Sequence, residues 1–141
     1  MNILFFLISF SQALYADICA QPNQQDVRLG GKIYVSYIAA SRSQKKYITD
    51  FKVILIPKNS STQLSAIERN KRNFCSNNRT LFQSYKARVA YTNADGYFEF
   101  RELQRQANYI LIFCDHDIQL SPVSTGNRNV TYSIGEKRIR L

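Results

Sequence analysis

A period of two runs through residues 97–103 and constrains this chain more than any other feature: Phe98 and Phe100 alternate with Tyr97, Glu99 and Arg101. Such alternation buries one face of a β-strand and leaves the other in water. Upstream, Leu81, Tyr85, Ala87, Val89 and Tyr91 read as one face of a preceding strand, with Thr92-Asn93-Ala94-Asp95-Gly96 as the turn between the two. Gly96 is expected to supply a positive φ and Asp95 a side-chain acceptor for local amides, so the two strands are expected to form a hairpin. Residues 109–114 are almost continuously apolar, as in a central strand covered on both faces, and Ile110 and Ile112 join Phe98 and Phe100 as expected core residues.

The same signals extend over the rest of the chain. Residues 27–38 alternate Ile33, Val35 and Tyr37 with Lys32, Tyr34 and Ser36, and Gly30 and Gly31 mark a bulge or kink near the start. Residues 39–46 are polar and predict a loop; residues 47–56 resume a strand, dense in apolar side chains, that Pro57 stops. Within 59–78, Ser65 and Glu68 fit a capping box, predicting a short helix through Arg72. Its apolar face is thin, Ile67 and Phe74 at best, so it is expected on the surface. After a polar loop, residues 129–134 and 137–141 supply a last strand or pair. The expected fold is an all-β sandwich of about seven strands with one short surface helix in an insertion.

The segment from Tyr91 to Phe100, followed by Leu103 and Tyr109-Ile110-Leu111-Ile112, resembles the hairpin of the transthyretin-like (prealbumin-like) and carboxypeptidase-regulatory-like sandwiches, which share a Thr-Asp-x-x-Gly-x-Phe core and a following Tyr-x-Leu strand. The closing Thr131-Tyr132-Ser133-Ile134-Gly135, with Ile139 and Leu141 beyond it, is similar to the end of the nematode transthyretin-like family. The resemblance implies an extracellular binding protein and carries over no active site.

Residues 1–16 hold no charged side chain; an apolar run over 3–10 is followed by small residues at Ala13 and Ala16. That layout matches a secretory signal cleaved after Ala16, or after Ala13, against the alternative of a buried N-terminal strand. The run is too short to span a bilayer, which needs roughly 20 apolar residues. Residues 17–26 read as a flexible polar leader and 27–141 as the sandwich domain. The chain carries 19 Lys and Arg against 10 Asp and Glu, all beyond residue 16, for a net charge of +9. This excess suits an anionic extracellular partner, a lipid, glycan or protein, or else a basic surface with no dedicated ligand. The basic residues expected to make the contact are Lys45 and Lys46 in the first loop and Arg69, Lys71, Arg72 and Arg79 in the insertion.

Three cysteines, Cys19, Cys75 and Cys114, predict one disulfide with one thiol left over. Three pairings are open; Cys75–Cys114 is favoured because Cys19 lies in the leader. Asn59, Asn78 and Asn129 begin glycosylation sequons. His116 between Asp115 and Asp117 is the one constellation that invites catalysis, but neighbouring strand residues face opposite ways and no nucleophile stands nearby. The expectation is no enzyme, no cofactor, no metal and no nucleic-acid module. Two readings stand: a secreted binding or bridging protein with a basic surface, and a bacterial envelope accessory protein that binds another protein.

Overall fold

A computed structural model describes residues 26–141. The expected signal at 1–16 and the leader up to residue 25, Cys19 among them, lie outside the described residues. The described chain forms eight strands and three short helices, in the order β1 (Val27–Ala39), β2 (Arg42–Tyr47), β3 (Lys52–Lys58), α1 (Leu64–Arg69), α2 (Lys71–Cys75), α3 (Arg79–Tyr85), β4 (Arg88–Tyr91), β5 (Tyr97–Leu103), β6 (Asn108–Phe113), β7 (Gln119–Ser124) and β8 (Thr131–Arg138). They stack as a β-sandwich with a helical layer outside one sheet.

The first sheet is built on β1. Its first half pairs antiparallel with β5 and its second half with β2, while β8 runs parallel along the other side. The second sheet has the order β4-β3-β6-β7, all antiparallel. Between the sheets lies the main core, with Leu29 and Ile33 from β1, Val53 and Leu55 from β3, Phe98 and Phe100 from β5, and Leu111 and Phe113 from β6. Ile110 and Ile112 are buried too, on the opposite face of β6. There, with Ile54 and Ile56 of β3, they meet Ile67 and Phe74 from the helices. This double coverage explains why β3 and β6 are apolar at consecutive positions rather than at alternate ones.

Several expectations are corrected. The insertion holds three helices rather than one, and they are not surface decoration: Ile67 and Phe74 are fully buried. Ser65 caps nothing; Gln63 stands at the N-cap of α1 with no side-chain hydrogen bond. Residues 79–85 are helical, not the start of a strand, because the Asn78 side chain accepts from Leu81 N as an N-cap and Phe82 and Tyr85 pack on Phe74. The segment 39–46 is not a loop. Ala40 and Ser41, with φ of 51° and 63°, make a two-residue reversal into β2. Pro57 lies inside β3, opposite Tyr109. Residues 119–124, expected in a loop, form edge strand β7; of the two closings expected, a strand or a pair, the single strand β8 is the one formed.

The expected hairpin at 92–96 is an arch. β4 pairs with β3 in one sheet and β5 with β1 in the other, so this turn carries the chain across the sandwich. Thr92 Oγ1 anchors it, accepting from Phe51 N and donating to Ile48 O. The local acceptor is Asn93 rather than Asp95: its Oδ1 receives the amides of Asp95 and Tyr97. Gly96 has φ of 76°, and a Cβ there would come within 2.7 Å of Ile33 O, so glycine is required by conformation and by space.

Candidate functional site: a cationic cleft at the end of the sandwich

Where β5 ends and β6 begins, the sandwich is open. A cleft of about 430 Å³ lies there between the two sheets. Its floor is apolar, formed by Leu55, Pro57, Leu103, Ala107 and Tyr109, and its rim carries Lys58, Lys86 and Arg88 against one carboxylate, Glu102. Asn59, Gln104 and Asn108 add amide groups. A smaller hollow of about 260 Å³, lined by Ser61, Thr62 and Ser84, shares Pro57, Asn59 and Lys86 with it.

Each cation has a structural reason for its place. Arg88 opens edge strand β4 and ties the sheets together, its guanidinium donating to Arg101 O at 2.7 Å and lying 5.9 Å from the Phe100 ring centroid. Lys86 closes α3 in the left-handed conformation, φ 53°, where the amides of Lys86 and Ala87 return to Gln83 O and Phe82 O. Lys58 ends β3. Neither Lys58 nor Lys86 has an ion-pair or side-chain hydrogen-bond partner among the described residues. Glu102 and Gln106 also hold positive φ, 57° and 48°, so backbone strain gathers around this opening. Three positive charges against one negative charge give the cleft a net positive rim over an apolar concave floor.

The basic residues expected from the sequence are not brought together. Lys45 and Lys46 stand on β2 in the first sheet. Arg69, Lys71, Arg72 and Arg79 belong to the helical layer outside the second sheet, at the far side of the stack. Lys45 is neutralised by Glu136 at 2.6 Å and lies 4.7 Å from the Tyr34 ring centroid. Lys71 pairs with Glu68 at 2.7 Å. The hydrogen bond to Glu136 raises Lys45 above its ordinary pKa; Glu136 in turn is lowered, first by Lys45 and then by the Tyr47 hydroxyl. Lys58, Lys86 and Arg88 were missed by sequence reading because they are scattered single cations. Only the fold makes them neighbours.

Cys75 and Cys114 form a disulfide, with Cα atoms 5.7 Å apart, fastening the end of α2 to the end of β6. Lys52 Nζ adds a second tie to the same place through Cys75 O and Asn77 Oδ1. Asn59, Asn78 and Asn129 are all exposed. His116 is exposed, and its two acidic neighbours serve the chain end: Asp115 Oδ2 accepts from Gln119 Nε2 and Arg140 N, and Asp117 lies 3.8 Å from Arg140.

No protein-family model matches the sequence, and no curated protein matches it. Among solved structures the chain is similar to the major plantain pollen allergen Pla l 1, at 15% identity and TM-score 0.46 over 82% of this chain and 93% of that one. It is also similar to GBS52, a minor pilin of Streptococcus agalactiae, at 14% identity and TM-score 0.43; 80% of this chain is covered but only 48% of the pilin. A Pseudomonas aeruginosa protein aligns at 15% identity and TM-score 0.39, over 84% and 90% of the two chains. Likenesses this remote assign no residue of the cleft. No helix among the described residues is long and apolar enough to cross a membrane.

Proposed function

We propose that this is a secreted, non-enzymatic binding protein of the transthyretin-like kind, whose end cleft takes an anionic group of an extracellular glycan. The observation that carries the reading is the rim of Lys58, Lys86 and Arg88, facing the single carboxylate of Glu102 over an apolar floor. A concave cleft with amide donors suits a sugar ring bearing carboxylate or sulfate better than the flat surface of a lipid bilayer. The disulfide supports an oxidising compartment. The family placement rests on the sequence motif from Tyr91 to Phe100; an experimental structure with a different strand order from that family would refute it. Secretion predicts a mature N-terminus near Asp17 and, in a eukaryotic host, glycan mass on Asn59, Asn78 or Asn129, both read by peptide mass spectrometry.

The test is binding of the chain to heparin and to fully desulfated, N-acetylated, carboxyl-reduced heparin, which carries no anion, over a range of salt. Heparin should bind and weaken steeply as salt rises, because exposed charge contacts are screened over about 8 Å at physiological ionic strength. Lys58→Ser with Lys86→Gly should weaken binding by about tenfold or more, a change of about 1.4 kcal/mol. Charge reversal of Arg69, Lys71 and Arg72 should change it much less. Equal binding of the uncharged polymer, or loss with the helical-layer variant alone, would refute the cleft.

A further inference from the structure

The outer face of the first sheet carries a second concavity, built quite differently. The β1–β8 register shifts between Gly30 and Lys32, placing Ser133 opposite Gly30 but Glu136 opposite Lys32. The extra residue is a bulge at Gly135, φ 77°, with open space where a Cβ would stand. By adding one residue, the bulge turns Glu136 outward, where its carboxylate receives Lys45 and the Tyr47 hydroxyl. Across β1, the Tyr97 hydroxyl lies over Gly30: a Cβ at Gly30 would come within 2.6 Å of it. That hydroxyl is fixed by donating to Glu99 at 3.0 Å. The result is a shallow, mainly apolar groove of about 210 Å³ lined by Gly31, Lys32, Tyr97, Ser133, Gly135 and Glu136.

We propose that this groove binds the pyranose ring of an uncharged glycan. Its charges decide the class. The lining holds one cation, Lys32, and one carboxylate, Glu136, so it has no excess of either sign, unlike the end cleft. A half-buried tyrosine ring beside glycine backbone offers a surface on which the apolar face of a sugar can lie. The polar groups around it suit hydroxyls. Ser133 Oγ already accepts from Gly135 N, leaving its proton to donate. Glu136 accepts, and the Lys32 ammonium, 5.0 Å from the Tyr47 ring centroid, donates. Nothing in this site depends on the end cleft.

The experiment is an amide-shift NMR titration of the secreted chain with the methyl glycosides of glucose, galactose, mannose and N-acetylglucosamine, which carry no charge. At least one should give saturable shifts at Gly30, Gly31, Lys32, Ser133, Gly135 and Glu136. Tyr97→Ala should weaken it by about tenfold, while Tyr97→Phe, which keeps the ring, stays within about threefold. Heparin binding should be unchanged in both variants. Should Tyr97→Ala fail to fold, Ser133→Ala with Glu136→Gln gives the same readout. Shifts by no glycoside, shifts elsewhere, or a proline-rich peptide that moves these amides where no glycoside does would overturn the proposal.

Discussion

Lys86 holds a left-handed conformation, φ 53°, that costs a non-glycine residue about 1–2 kcal/mol. Glycine would relieve that strain while adding about 0.5–1 kcal/mol of unfolded-chain entropy. Lys86→Gly should therefore leave stability unchanged or raise it by up to about 1 kcal/mol, as urea unfolding would show, while heparin affinity falls. A fall in both would mean that Lys86 serves the fold rather than a ligand. Glu136 gives a pH test at the same scale. Its folded pKa is lowered by hydrogen bonds from Lys45 and Tyr47, so its stabilising contribution is fully present above the ordinary carboxylate pKa and is lost as pH falls through the lowered value. Carboxyl-carbon NMR should show Glu136 titrating below the ordinary glutamate range. Lys45→Ala should move that midpoint back up, and an unmoved midpoint would contradict the assigned cause.

Among the elements, the helices behave as a layer of the core. Phe74 is fully buried and makes ring contacts with Phe82 and Tyr85, so Phe74→Ala should cost about 3–5 kcal/mol in thermal or chemical unfolding. A loss below about 0.5 kcal/mol would restore the surface helix expected from sequence. Phe98→Ala and Phe100→Ala should cost about as much as Phe74→Ala, and Glu99→Ala far less, since it lies on the outer face. The strands β1, β3, β5 and β6 were legible because each buries at least one face and its side chains record it. β2 was not: all six of its residues are exposed, and Ala40-Ser41 gives none of the Asn-Gly or Gly-Gly signal that such a reversal usually carries. β7 hides behind Pro122 on a sheet edge. The arch read as a hairpin because a turn looks alike in sequence whether the next strand returns to its neighbour or crosses to the other sheet. The helix at 79–85 did leave a signal, Asn78 ahead of Leu81, Phe82 and Tyr85 at helical spacing.

At the scale of the whole molecule, the disulfide closes a loop of sequence separation 39 that contains α3 and the strands β4, β5 and β6. Its removal in Cys75→Ser/Cys114→Ser should cost about 4 kcal/mol by loop-closure entropy, seen as a lower unfolding midpoint. The charge of +9 was plain in composition, but its focus was not, because a cleft is made by residues distant in sequence: the pairing of β3 with β4 gathers Lys58, Lys86 and Arg88, and Glu102 joins them only when the two sheets close on each other. The most direct test of the account is therefore one of position. Amide-shift NMR of the chain, titrated with a sulfated heparin disaccharide, should move Lys58, Lys86, Arg88, Gln104 and Asn108 together and leave α1 and α2 still. Shifts centred on Arg69–Arg79, or no saturable shift around the cleft, would contradict it.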